Sequence, residues 1–380
     1  MTTLRVIAED AVTPAGAGLA RYALELSRAL VQAAPAGTDV EFVFAAHPAR
    51  DIDRFRELLP GASAYHSAAL PRGPLAAAWA AGSMLGAAAA MVHAPTLFAP
   101  IAPHDRRRDG VQQVATIHDT LAWTHPGSLG RANAAWTRAM ARRAARHADA
   151  IVVPTHAVAD QLAELLNVGD RLRVIGGAVS GALTAPADDE AEARASWLKL
   201  PARYVLAHGP LDARRGLDAL VAAMPLIDAD VALLVVGEDE HRGRRLSEAA
   251  MTAGLPEGRV RALGPVSDAD LALLLQRAAV FVAPSREEGF GLAALEALTL
   301  GTPLVHSDAP ALVEVAGGAG LAVARAEGGS SYAERLADAI GRVLGDAALA
   351  ERLRVAGLDR AKAFSWRDSA ARVWQLHADL

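Results

Sequence analysis

The chain has no cysteine, two lysines and 4% aromatic residues among its 380. Without cysteine there is no disulfide framework, no thiolate zinc site and no thiol nucleophile, an absence that fits a cytoplasmic protein. With Lys199 and Lys362 the only lysines, positive charge rests almost wholly on arginine. The first ten residues, Met1 to Asp10, hold no apolar core long enough for a signal peptide and read as a first strand. Leu75 to Val92 is uncharged for about the length that spans a bilayer, but it is mostly Ala and Gly, contains Ser83 and is flanked by Pro74 and Pro95. It reads as a buried helix running into a short strand that ends at His93.

What is present describes a packed globular protein. Apolar residues make up 52% and charged residues 21%, the balance of a folded chain rather than a disordered one. The length exceeds what one hydrophobic core accommodates, so two or three domains are expected. A net charge of −5 and a pI near 6.2 argue against nucleic acid as a partner.

One stretch organises the rest: Pro284-Ser285-Arg286-Glu287-Glu288-Gly289-Phe290-Gly291-Leu292, continuing through Glu296 to Leu298. The apolar, β-branched run Ala278 to Ala283 before it reads as a buried strand, and Leu292 onward is rich in helix formers. The order is strand, turn, helix. Free amides of Phe290, Gly291 and Leu292 at the helix start, with the positive end of the helix dipole, suit a diphosphate. Glu288 before them and Glu296, expected roughly two turns into the helix, suit hydroxyls on either side of it.

These residues resemble the signature of the family-4 retaining glycosyltransferases, two carboxylates separated by seven residues around Gly-Phe-Gly-Leu, with Pro-Ser before and Glu-Ala-Leu-Thr-Leu-Gly-Thr-Pro after. The resemblance implies a GT-B fold: an α/β protein of two Rossmann-like parallel-sheet domains facing across a cleft, with a C-terminal helix crossing back to the first. It implies that Glu288 touches the transferred sugar and Glu296 the ribose. Ala293 departs from the family, which usually has Pro there, a matter of helix-start geometry.

Read in order, Val6-Ile7-Ala8 leads into a glycine-rich turn with Gly16 and Gly18, then a helix through Leu24, Leu26 and Leu30. It is a poor dinucleotide fingerprint, because Arg21 stands where the third glycine of G-x-G-x-x-G belongs. By resemblance Gly16, Gly18, Arg21 and Tyr22 belong at the cleft on the acceptor side. Val114 to Thr120 reads as a buried strand ending in His118 and Asp119, where open α/β sheets place ligands. The family has a His-Asp pair here, so His118 approaches the donor sugar and Asp119 lies beside it. His93 could line the same cleft, and Thr155 after Val153-Pro154 could help hold it. Arg131 to His147 reads as a helix bearing Arg131, Arg138, Arg142, Arg143 and Arg146, with Arg106-Arg107-Arg108 as a second basic cluster. Either a solvated surface or contact with anionic headgroups or a phosphorylated acceptor accounts for these.

The domain boundaries expected are residues 1–182, a linker at 183–200 where Pro, Asp, Glu and Ala dominate, 201–362 and a crossover helix at 363–380. In the second domain Tyr204 to Gly209 reads as a strand, followed by Asp212-Ala213-Arg214-Arg215-Gly216. The family places a strand-end glycine and an Arg and Lys here to neutralise the diphosphate. Gly209 fits, Arg215 takes the Lys position, Arg214 precedes it, and Pro210 stands where some members carry the first Arg. Arginine keeps the charge while changing reach and geometry. By resemblance Val266, after Gly264, touches the base, and Glu314 opens the segment after Thr302 to Asp308.

The function so implied is transfer of a sugar, mannose as first choice, from a nucleoside diphosphate sugar to an acceptor hydroxyl of a glycan, glycolipid or natural product. No cofactor beyond the co-substrate and no metal is expected, since no Asp-x-Asp signature is placed for it. A nucleotide-sugar epimerase on the same fold and a non-catalytic sugar-binding protein remain alternatives, as does peripheral contact with the inner face of a membrane. A phosphorylase of the glycogen type needs a Schiff-base lysine, and neither lysine lies in a candidate site.

Overall fold

A computed structural model describes residues 2–12, 17–87, 89–106, 108, 110–241, 243–326 and 330–380. The chain divides into two compact units, one formed by Met1–Ala178 with Ser365–Leu380 and the other by Val179–Phe364.

Among the described residues the first unit holds seven parallel strands: β1 (Thr2–Ile7), β2 (Thr38–Phe44), β3 (Ala64–Ser67), β4 (Met91–Ala94), β5 (Gln112–Thr116), β6 (Ala150–Val153) and β7 (Leu172–Val174). Their order is β3-β2-β1-β4-β5-β6-β7. Both faces are covered, and the two-residue period of a strand shows in the packing. Leu4, Val6, Phe42 and Phe44 enter one core with Leu26 and Leu30 of the Ala17–Gln32 helix. Ile7 and Val43 enter the other with Met140, Ala141 and Ala144 of the Arg131–His147 helix. The C-terminal helix, Trp366–Asp379, buries Ala370, Val373 and Trp374 in the first of these cores. Trp374 Nε1 donates to Leu30 O at 3.1 Å and Ser369 Oγ to Gly176 O at 2.7 Å.

The second unit holds a sheet of order β12-β9-β8-β13-β14-β15 and a separate antiparallel pair, β10-β11. The strands are β8 (Tyr204–His208), β9 (Ala232–Val236), β10 (Glu240–His241), β11 (Arg244–Arg245), β12 (Val260–Ala262), β13 (Val280–Ala283), β14 (Leu304–Ser307) and β15 (Gly320–Val323). Alternation recurs: Val205, Ala207, Leu233 and Val235 enter one core, Tyr204, Leu206, Leu234 and Phe281 the other. This is the GT-B architecture expected, two Rossmann-like parallel-sheet domains with a C-terminal helix returning to the first.

Several local expectations need correction. The 183–200 stretch carries a helix, Asp188–Trp197, whose Ala191 and Ala195 are buried with Leu183 and Leu198 in a core of the second unit. From Leu75 to Val92 the helix is short, Arg72–Ala80, with turns before β4. No helix among the described residues is long and apolar enough to cross a membrane. Glu314 lies inside the helix Pro310–Ala316 rather than opening a segment.

His93, expected at a cleft, is fully buried beside the C-terminal helix, its Nδ1 3.3 Å from His377 Nε2. Gln112 Oε1 lies 2.8 Å from His377 Nδ1. A carbonyl oxygen only accepts, so His377 is protonated at Nδ1 and accepts at Nε2 from His93. Burial holds both imidazoles below their ordinary range, His377 at about 4. The unfolded chain therefore binds these protons more tightly than the folded one, and stability is full above the ordinary imidazole value and falls as pH drops through it. Urea unfolding is expected to show a loss of about 2 kcal/mol from His377 alone between pH 8 and pH 5. The His377→Gln variant should have a flatter pH profile, and an unchanged profile would contradict the assignment.

Candidate functional site

In the second unit the chain leaves β8 toward β9 and β12 on one side, then returns to place β13 on the other. The strand order reverses between β8 and β13, and open α/β sheets bind ligands beyond the carboxyl ends of strands at such a point. The loops leaving β8 and β13 carry Gly209, Arg214, Arg215 and Glu288 to Gly291 of the donor-side residues singled out from sequence.

The two loops are stitched together. Arg286 N–H donates to Arg214 O at 2.7 Å, and Arg214 Nη1 donates to Glu287 O at 3.2 Å. Arg215 Nη1 meets Glu288 Oε1 at 2.5 Å, and Arg214 Nη1 lies 3.5 Å from Glu288 Oε2. Ser285 Oγ donates to Glu288 Oε1 at 3.0 Å. Two glycines make this approach possible. Gly209, at φ +112°, leaves room for the Arg215 stem, whose Cδ would sit 3.3 Å from an added Cβ. Gly216, at φ +67°, lies so close to Pro284 that an added Cβ would fall 2.0 Å from its carbonyl oxygen. Asp212 caps the arginine turn, its side chain accepting from Arg214 N–H at 2.8 Å. Burial alone would raise the pKa of Glu288, but the charges of Arg215 and Arg214 with the Ser285 hydrogen bond outweigh it and hold the carboxyl below its ordinary value.

The helix that follows spans Leu292–Thr299, with Gly291 at φ +87° as its N-cap. The amides of Phe290, Gly291 and Leu292 have no acceptor among the described residues. The Phe290 ring packs edge-on to Phe364 with centroids 5.9 Å apart, which fixes the turn from outside. Gly289 is buried in the turn. Glu296 is the fifth helical residue, one turn inward rather than two, and is 5% exposed. Beyond β12, Gly264 exchanges both backbone hydrogen bonds with Gly237 and Val266 is half-buried.

In the first unit β5 ends at Thr116, so His118 and Asp119 lie in the loop past the strand. His118 Nε2 is 2.7 Å from Pro95 O, and its ring stands edge-on to Tyr22 with centroids 4.5 Å apart. Tyr22 also packs against Trp366 of the C-terminal helix, at 5.4 Å. Asp119 Oδ1 accepts from Leu121 N–H at 3.0 Å, capping the turn that follows. Arg21 and Gly18 lie on the Ala17–Gln32 helix, so Gly18 is not a turn residue. Gly16 lies outside the described residues. Thr155 caps the helix His156–Leu165 through Val158 N–H, at 3.2 Å. Of the arginines on the basic helix, Arg138 and Arg143 hydrogen-bond backbone carbonyls, and Arg131, Arg142 and Arg146 are exposed.

A family model described as Glycosyltransferase Family 4 matches residues 16–180, and one described as Glycosyl transferases group 1 matches residues 202–346. The chain belongs to this glycosyltransferase family. Glycogen synthase from Mycobacterium tuberculosis is 30% identical over 281 residues, 70% of this chain and 63% of that protein. O-antigen chain mannosyltransferase B from Escherichia coli is 32% identical over 168 residues, 43% of each. The chain thus spans less than two thirds of the length of these relatives. Among solved structures, Anabaena HepE in complex with UDP and glucose aligns over 100% of both chains with a TM-score of 0.74 at 18% identity, a likeness of fold.

Within this family framework, several side chains not singled out from sequence hold the signature loop. Arg286 pairs with Asp218 through two contacts of 2.8 and 3.0 Å. Arg325, beyond β15, pairs with Asp308, beyond β14, at 2.6 Å, and also donates to Arg286 O. Ser307 Oγ donates to Ser285 O. Ser285 was visible as part of Pro-Ser, but nothing in the sequence pointed to its bond with Glu288. The fit of Gly216 against Pro284 gives a direct check. Gly216→Ala should destabilise the chain by roughly 1–3 kcal/mol in denaturant unfolding, because both the backbone angle and the approach of the loops exclude a Cβ. An unchanged midpoint would mean that the loops do not meet in this way.

Proposed function

We propose that this chain is a retaining glycosyltransferase that moves a sugar from a nucleoside diphosphate sugar to an acceptor hydroxyl. The observation that carries the reading is the 2.5 Å contact of Arg215 with Glu288 at the reversal of strand order, beside a helix start with open amides. A guanidinium has five donors and a carboxylate about four acceptor positions, so each can keep the other and still bind a ligand. Arg215, with Arg214 beside it, has donors for the diphosphate, and the amides of Phe290, Gly291 and Leu292 supply more at the positive end of the helix.

Glu288, kept ionised by its arginines, accepts hydrogen bonds from hydroxyls of the transferred sugar. The same arginines lower its basicity, which makes it a poor nucleophile and favours attack on the face from which the diphosphate departs. In that step the bond from the anomeric carbon to the diphosphate oxygen breaks, the acceptor oxygen bonds to the same carbon, and its proton passes to the leaving phosphate oxygen. Configuration is thereby retained. Glu296 takes the ribose hydroxyls, backbone groups at Val266 take the base, and Gly209 and Gly289 let the backbone approach. In the first domain His118 offers a hydrogen bond to a substrate hydroxyl, and Gly18, Arg21, Tyr22 and Asp119 are the acceptor-side candidates there. Charge stabilisation comes from arginine and the helix start, so the reaction is metal-independent on this reading.

A relative named as a mannosyltransferase supports mannose as the first donor to try, and the neighbour holding UDP and glucose supports a nucleotide sugar in general. The acceptor is a glycan, a lipid-linked glycan or a small molecule. Thermal shifts with GDP-mannose, UDP-glucose and UDP-N-acetylglucosamine should single out one donor. With that donor, Glu288→Ala is expected to lower turnover by on the order of 2–4 kcal/mol of transition-state stabilisation while circular dichroism stays unchanged. Wild-type turnover in this variant would remove Glu288 from the mechanism.

A further inference from the structure

The strand order of the first sheet also reverses, between β1 and β4, and buried polar groups follow both strands. Asp10 is 2% exposed and Thr96 is 4% exposed. Thr96 Oγ1 donates to Asp10 Oδ2 at 2.5 Å and accepts from Phe98 N–H at 3.1 Å, so one hydroxyl ties the turn at both ends. Arg72 Nη2 holds the other Asp10 oxygen at 2.5 Å, with its guanidinium 4.5 Å from the Phe98 ring centroid.

The turn fixed in this way begins at Pro95, whose carbonyl faces His118 Nε2 at 2.7 Å. That oxygen only accepts, which puts the imidazole proton on Nε2. Burial lowers the His118 pKa, opposed by the Pro95 hydrogen bond and the charge of Asp10, and so favours the neutral ring. Its Nδ1 is then a bare lone pair with no partner among the described residues. Tyr22, edge-on to the ring, fixes its plane.

We propose that Asp10 and Thr96 are positioning residues that act through Pro95 to hold His118 as the Nε2–H tautomer, so that His118 offers a substrate hydroxyl an acceptor at Nδ1. The inference deepens the transferase reading and rests on it for its kinetic consequence. Neither Asp10 nor Thr96 touches reacting atoms. Their effect is on which ring nitrogen carries the proton and on how firmly that proton is held.

The test is a nitrogen-15 spectrum of the imidazoles in the full chain, with His118 assigned by its loss in His118→Gln. Wild type should show a slowly exchanging Nε2–H and an unprotonated Nδ1. Thr96→Val, which keeps the side-chain shape, and Asp10→Asn should speed exchange of that proton by about tenfold or more, the equivalent of one lost hydrogen bond. Thr96→Ser should restore slow exchange. Thr96→Val should also lower kcat with the thermal midpoint preserved, and Thr96→Ser should recover it. A proton on Nδ1 in the wild type, or exchange unaltered in both Thr96→Val and Asp10→Asn, overturns the proposal, as does an unchanged kcat in Thr96→Val. Wild-type protein that turns over no nucleotide sugar counts against the transferase reading alone, since the spectra still decide the positioning.

Discussion

The contact between Arg215 and Glu288 is the constraint on which the second domain's site depends. A partly buried ion pair adds little net stability by itself, because removing two charges from water costs about what their attraction returns. Breaking it is costly, since one charge is then left buried without its partner. The pair therefore acts less as cement than as a register pin between two loops from adjacent strands. The backbone bond from Arg286 to Arg214 and the side-chain bond from Arg214 to Glu287 fix the same register. The pairs Arg286 with Asp218 and Arg325 with Asp308 extend the bracing to neighbouring elements. A charge arrangement held from several sides needs little reorganisation when a charged ligand arrives, and that is the physical basis of electrostatic preorganisation.

The first domain follows the same plan with different chemistry. Its reversal of strand order also gathers buried polar groups after two adjacent strands, here Asp10 and Thr96 in place of arginine and glutamate. Two acidic residues, Glu9 and Asp10, are buried there, with Arg72 beside both and His47 Nε2 2.9 Å from Glu9 Oε2.

Much of this was legible in the sequence because local pattern carried it. The run Val280 to Ala283, the glycines that follow and the Leu-rich start at Leu292 each favour one conformation, and they agree with one another. Strand ends were less legible: His118 and Asp119 looked like the end of β5, yet the ladder stops at Thr116 and the polar pair belongs to the loop. The Asp188–Trp197 helix was read as linker because alanines, not large apolar residues, form its buried side. What sequence hid altogether was pairing at a distance. Thr96 meets Asp10 across 86 residues, Arg286 meets Asp218 across 68, and His93 meets His377 across 284. No local period records such pairs. They follow only once the sheet order brings strand ends together.

The most direct measurement is a crystal structure of the chain with a nucleoside diphosphate bound. The account places phosphate oxygens within hydrogen-bond distance of the Arg215 guanidinium and of the amides of Phe290, Gly291 and Leu292, with Glu288 still ionised beside Arg215. A diphosphate seated away from the β8 and β13 loops, or one held with Arg215 turned from it, would contradict the account.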